Sequence, residues 1–137
     1  MEYLPKNISN EELLKCARKW IDILAAEKYQ EVISSIGYGM SSTPQIKDIT
    51  IPLVHYRSPI YPNQTQFKIS DWRTARGGNP NPLEEVIWYK SNEVSLTGAV
   101  SVDLPLNGKW SDLRIDFVLF DAGEKGHLFR LEEIRKF

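Results

Sequence analysis

Asp103 and Asp112 flank the dipeptide Asn107-Gly108 at equal spacing, four residues on either side. If the segments on either side pair as a hairpin, the two carboxylates face each other. Facing carboxylates can bind a hard cation or share a proton. Both lie close to the turn tip, where they reach water, with Lys109 nearby and Arg114 able to neutralise either. The pair therefore reads as charged outer surface, and no metal ion or other cofactor is expected. Acid–base chemistry has only His55 and His127 to draw on. His55 sits in Pro52-Leu53-Val54-His55-Tyr56-Arg57, with Asp71 or Glu85 as the acid that would orient it. His127 opens the last strand and is expected to be exposed. Cys16 lies on an apolar helix stripe four residues before Trp20, away from a helix N-terminus or a basic pocket that would make a thiolate. It reads as core packing. The chain carries no nucleophile elbow, phosphate-binding glycine loop, HExxH or paired CxxC. No catalytic residue is assigned, and the balance leans away from an enzyme.

The surface chemistry that remains is aromatic and cationic. Trp72-Arg73-Thr74-Ala75-Arg76-Gly77-Gly78-Asn79 mixes Trp with Arg, the residue types that dominate protein-interface hot spots. Tyr56, Arg57 and Tyr61 precede it, and Trp110 stands near the hairpin tip. The binding candidates are Tyr56, Arg57, Trp72, Arg73, Arg76 and Trp110. The competing use is structural: Trp72 plugs one end of the fold and the arginines are solvated.

These residues need a scaffold, and the hairpin supplies it. Apolar side chains recur on even positions from Val94 to Leu106, interrupted by Gly98. Asn-Gly suits a two-residue type I′ turn, whose central residues both need positive φ. An uninterrupted register then sets Leu106 against Lys109, Val102 against Leu113, Val100 against Ile115, Gly98 against Phe117 and Leu96 against Leu119. It predicts one apolar face, with Phe117 covering the glycine. Ahead of the sheet, Ser9 and Glu12 form a capping box. Leu13, Cys16, Ala17, Trp20, Ile23 and Leu24 then follow at helical spacing. A second helix is predicted over residues 28–36, with Val32, Ile33 and Ile36 inward and Gly37 ending it. Residues 46–56 are β-branched but contain Pro52, so they read as an edge or broken strand. Residues 58–81 are rich in Pro, Asn, Gly and polar side chains and read as loop. A turn or short helix over 70–75 is capped by Ser70 and Asp71. Residues 85–90 form a strand, Ser91-Asn92 turns into the hairpin, and 128–135 return as the last strand beside Phe117 and Leu119.

The predicted fold is a single α+β domain over residues 1–137. An N-terminal helical hairpin packs on a curved antiparallel sheet of about four to five strands, because a one-sided sheet needs a cover. Seventeen basic against eighteen acidic residues, a net charge of −1, lack the excess that a general nucleic-acid binder uses to displace counterions. No apolar run approaches the ~20 residues needed to span a bilayer. No leader is visible, and the lone cysteine suits a reducing compartment. The expectation is a cytoplasmic protein with no nucleic-acid or membrane partner.

The helix Trp20-Ile21-Asp22-Ile23-Leu24 with the following Tyr29 and Val32, then long paired strands ending in Leu131-Glu132-Glu133-Ile134, resembles the nuclear transport factor two-like, or cystatin-like, α+β roll. That family expects a further helix before the main sheet. The segment from Asp103 to Leu113 is similar to one in small bacterial proteins of toxin-immunity size. The resemblance implies a range of roles, because folds of this kind host enzymes, ligand binders and interaction domains. The leading expectation is a non-catalytic module that binds another protein, a toxin in the immunity-type version. The alternative is a ligand carrier or enzyme with a pocket between helices and sheet, lined by Trp20, Trp88, Phe117 and Phe129 and with His55, Tyr56 or Asp71 at its mouth. A third expectation is a homodimer through the outer sheet face, where Val118 and Phe120 project among polar neighbours.

Overall fold

The bend at Asn107-Gly108 forms as expected. In a computed structural model that describes residues 2–39, 43–90 and 95–137, Asn107 has φ 52° and Gly108 φ 84°. Leu106 pairs with Lys109 across it. The strands are β3, Leu96–Leu106, and β4, Lys109–Asp121.

Beyond Pro105 and Trp110 the uninterrupted register fails. Asp103 pairs with Arg114, so the single residue Leu104 faces residues 111–113 of β4. Val102 therefore meets Ile115, Val100 meets Phe117 and Gly98 meets Leu119. The surplus on β4 is two residues, and a two-residue slip keeps every side chain on its original face. The apolar face survives while each partner changes. Ser111 holds the irregularity: its buried hydroxyl donates to the Leu104 carbonyl at 2.6 Å and accepts from the Leu113 N–H at 2.9 Å. A second irregularity shifts Leu96 to face Phe120. Val94 and the Ser91-Asn92 turn lie outside the described residues. Gly98 is covered by an aromatic ring, but by Trp88, which pairs with it from the neighbouring strand and whose ring would touch an added Cβ at 3.0 Å.

The sheet has order β1-β5-β4-β3-β2, all neighbours antiparallel, with β1 Glu2–Leu4, β2 Glu84–Trp88 and β5 His127–Lys136. Strand β1 precedes the helices and pairs with β5, a three-residue edge too short to show a pattern. Helix α1, Asn10–Ala25, is capped by the Ser9 hydroxyl, which accepts from the Glu12 N–H at 3.1 Å. Its buried stripe is Leu13, Ala17, Trp20, Ile21 and Leu24. Cys16 and Ile23 are only half-buried beside it, so Ile21 takes the place expected for them. Helix α2, Tyr29–Ile36, buries Val32, Ile33 and Ile36 and ends at Gly37 with φ 70°.

Residues 46–55 form helix α3, Ile46–His55, not a strand. Asp48 accepts from the Gln45 N–H at 2.7 Å, which satisfies a free donor at the helix start. Pro52 sits inside the helix, and the spacing of Ile49 and Leu53, both buried, aims one stripe at the core. Burial of that stripe overrides the β-branched propensity. The helices lie on the sheet face that carries Val100, Val102, Phe117, Leu119, Phe129 and Leu131. The expected α+β class and N-terminal helical cover are thus present.

Ser111→Ala should cost about 1–3 kcal/mol, because it strands a buried carbonyl and a buried N–H together. Urea unfolding should show a lower midpoint with an unchanged slope.

Candidate functional site

The irregular residues 68–79 are a strap around the hairpin tip, fastened by backbone bonds on both sides. Toward β3, the Ser70 N–H donates to the Pro105 carbonyl at 3.0 Å and the Asn107 N–H donates to the Lys68 carbonyl at 3.0 Å. Toward β4, the Arg76 N–H reaches the Gly108 carbonyl at 2.9 Å and the Trp110 N–H reaches the Gly77 carbonyl at 3.1 Å. The Asn79 N–H closes the strap on the Trp110 carbonyl at 2.9 Å. Trp110 therefore points its backbone groups at the strap and not at its partner Pro105. A proline fits there because the donor it lacks would not have bonded β4.

The apex is a turn in which the Asp71 carboxylate accepts from the Arg73 N–H at 2.9 Å. Arg73 forks onto the Asp22 carboxylate of α1 at 2.8 and 3.0 Å. Two guanidinium groups lie over the Trp72 ring, Arg18 4.2 Å and Arg73 4.4 Å from its centre. Its indole N–H is buried without a hydrogen-bond partner among the described residues. Arg18 pairs in turn with Glu84.

Of the sequence candidates, Trp72, Arg73, Arg76 and Trp110 come together on or beside this strap, while Tyr56 and Arg57 do not. Tyr56 is only 3% exposed and bonds through its hydroxyl to Asp112. Its ring meets Tyr61 and Phe67 edge-on at 5.8 and 4.8 Å. Arg57 is exposed and turns back onto the Val54 carbonyl at 3.0 Å. Arg76 is exposed and bonds the Ala75 carbonyl at 2.8 Å.

Asp103 and Asp112 do not face each other. The extra residues on β4 carry Asp112 to Tyr56, Ser58 and Lys136. Asp103 is 1% exposed, not solvated. Arg114 meets it at 2.9 Å, the Asn79 amide at 3.0 Å and the Leu83 N–H at 2.7 Å. The carboxylate thus ties residues 79–83 to the sheet. No group of three or more His, Cys, Asp and Glu side chains among the described residues is placed to hold a metal ion.

His55 is exposed in the last turn of α3. His127 is half-buried rather than exposed: one ring nitrogen lies 2.9 Å from the Thr97 hydroxyl and the other 3.1 Å from the Lys6 carbonyl. A carbonyl only accepts, so Nε2 carries hydrogen and the ring ties β5 to the segment after β1. Cys16 donates to the Glu2 carboxylate at 3.6 Å, and burial, then that carboxylate, push its thiol up to about 12. Such a thiol is a poor nucleophile. Burial also raises the Tyr56 hydroxyl to about 12, helped by its bond to Asp112, and raises Tyr61 further still.

Two hollows flank the strap. One, of about 210 Å³, is walled by Arg18, Trp72, Leu83, Glu84, Asp103 and Trp110. The other is an open groove of about 520 Å³ edged by Asp22, Lys68, Asp71, Arg73 and Asn107. Arg18 and the stacking on Trp72 were not legible in the sequence, since Arg18 lies a long way back on α1. Among the described residues no helix is long and apolar enough to cross a membrane. Comparison with family models, curated proteins and solved structures finds no match to the chain.

Gly77 and Gly78 both have positive φ, 75° and 79°. A Cβ on Gly78 would overlap the Trp110 carbonyl oxygen, whereas one on Gly77 meets nothing. Gly77→Ala should cost about 1 kcal/mol for the backbone alone. Gly78→Ala should cost several-fold more and loosen the strap, read as faster amide exchange at Asn79 and Trp110.

The folded state holds Cys16 and Tyr56 neutral beyond their ordinary values of 9.0 and 10.0. Their contribution to stability is complete below pH 9 and is lost as the pH climbs from about 9 to about 12. Melting temperature should fall across that window, and Tyr56→Phe should flatten the upper part of the fall.

Proposed function

We propose that the chain is a non-catalytic protein-binding module whose contact surface is the strap ridge at Trp72 and the hollows beside it. The observation that carries this reading is the filled interior. The place expected for a ligand pocket is occupied by Phe117 and Phe129, both fully buried and stacked 4.9 Å apart, with Trp20 3% exposed above the sheet. Trp88, expected to line such a pocket, is instead partly exposed over Gly98. Of the two hollows beside the strap, the one at Trp72 is about 210 Å³, below the roughly 300–1,000 Å³ of small-molecule sites, and the other, about 520 Å³, is an open groove and not an enclosed pocket. The hollow at Trp72 has room for an inserted side chain. Its mix of indole, guanidinium and apolar wall is that of an interface anchor site. A toxin neutralised by an immunity-type protein is one partner that fits such a module.

Trp72 and Arg73 are themselves structural ties, so truncating them would disturb the fold as well as the contact. Leu83→Trp fills the hollow from its rim and leaves the ties intact. The tagged chain should retain a partner from native lysate. Once that partner is purified, Leu83→Trp should bind it at least tenfold more weakly, with an unchanged melt. Glu31→Lys, on the exposed side of α2, should bind as the parent does. Equal binding by Leu83→Trp would end this reading.

A further inference from the structure

The sheet face turned away from the helices carries an apolar area of its own. The registers align Leu96, Phe120, Leu128 and Tyr3 in one row across β3, β4, β5 and β1. The next row is Ile87, Ala99 and Val118, ending at Arg130. Strand alternation sets these rows opposite Val100, Phe117 and Leu131. None of them belongs to the core cluster, although Val118 is only 6% exposed. Ile87 stays 40% exposed and Tyr89, next along the same edge, 41%. A sheet with one packed face ordinarily turns polar residues outward.

Charge is laid out along the strands of this face in a definite order. Toward the hairpin tip the next row is Glu85, Ser101, Asp116 and Glu133, with Arg135 bonded to Asp116 at 2.7 Å. Glu132 lies in the same area, its carboxyl raised by burial and by Asp116 and Glu133. Among the described residues, the strands lead past the opposite end of the apolar rows into Lys6, Lys90 and Lys125, with Asp121 and Glu124 between them, a surplus of one positive charge. The Lys125 ammonium lies 5.1 Å from the centre of the Tyr3 ring. The face therefore runs from net acidic through apolar to net basic.

We infer that a second copy of the chain docks on this face, sheet against sheet about a twofold axis through the apolar rows. A twofold axis lays the acidic end of one copy over the basic end of the other and apolar over apolar. The pattern is thus complementary to itself. Aligned packing of two sheets is a standard solution for twisted antiparallel layers. Five strands at about 4.8 Å spacing and about seven residues of length give a patch about 24 Å on a side, roughly 600 Å² before side-chain relief. A stable interface needs about 800 Å² per partner, so the face is of the required order. The inference does not rest on the strap reading, because the hollow beside Trp72 faces α1 and stays open in such a dimer.

Light scattering over a concentration series tests it. The parent chain should show twice its 15.8 kDa mass, with dissociation favoured as salt rises from about 0.05 to about 0.5 M. Ile87→Lys, on an exposed edge strand, should raise the dimer dissociation constant at least tenfold without altering the circular dichroism spectrum or the melt. Val118→Lys should do so more strongly. A mass of 15.8 kDa at every concentration up to about 1 mM would overturn the inference. So would a dimer indifferent to Ile87→Lys or to salt, or a foreign protein captured on this face by a monomeric chain.

Discussion

The two surplus residues on β4 are the constraint on which the rest of the structure depends. They sit opposite Leu104 and are fixed by one buried hydroxyl, Ser111, which bonds both strands. Because the surplus is even, the strand keeps its buried face while its partners move by one pair along the ladder. Two consequences follow from that displacement: Asp103 gains Arg114 across the ladder, and Asp112 swings out to Tyr56. On the turn side of it the pair Pro105–Trp110 keeps the regular register and turns its backbone groups outward. The outward groups are what the strap fastens to. A regular ladder at this point would leave Asp103 with a like charge, Asp112, opposite it and without Arg114.

Much of the polar chemistry in this chain is spent on joining segments distant in sequence. Burying a carboxylate such as Asp103 is expensive unless every lone pair is met. Here an arginine from β4 meets it, together with an amide and a backbone N–H from residues 79–83. Arg73 ties the strap to Asp22 on α1, and Arg130 reaches the Gly39 carbonyl beyond α2. His127 spans β3 and the segment after β1. Each of these named charged side chains is satisfied by a partner within the fold.

The parts of the fold legible in the sequence are those set by local rules. Asn107-Gly108 encodes its own positive φ, Ser9 and Glu12 encode a helix start, and odd–even alternation encodes which face of β3 and β4 is buried. The unreadable parts depend on contacts between distant residues. Ser111 gives no local sign that it will hold a bulge, since a serine in a strand is ordinary. Residues 46–55 carry strand-like side chains and a proline, yet the burial of Ile49 and Leu53 makes them helical; Gln45 with Asp48 was the available signal. The composition of residues 68–79 announces a loop correctly and says nothing of the backbone bonds that make it a strap. The candidates Trp72, Arg73, Arg76 and Trp110 were legible as a group because their types are unusual together. Tyr56 was misplaced among them because its hydroxyl is claimed by Asp112 far along the chain.

A packed interior changes where selectivity can arise. A roll with a cavity discriminates by the shape of what it encloses, so its determinants point inward from sheet and helices. In this chain the inward positions are hydrocarbon and aromatic ring in contact, and enlarging them into a pocket would sacrifice packing worth several kcal/mol per large side chain. On the proposed binding reading, discrimination would fall to features outside the core. The strap is braced by backbone bonds on both sides of the hairpin tip and by Arg73 on α1, so on the proposed reading its ridge would meet a partner already ordered. The outer sheet face is braced by the ladder itself. Both surfaces are therefore preorganised, which lowers the entropy lost on association. For the two proposed contacts the same bracing would set the selectivity: a rigid ridge or sheet face would accept a partner of matching relief.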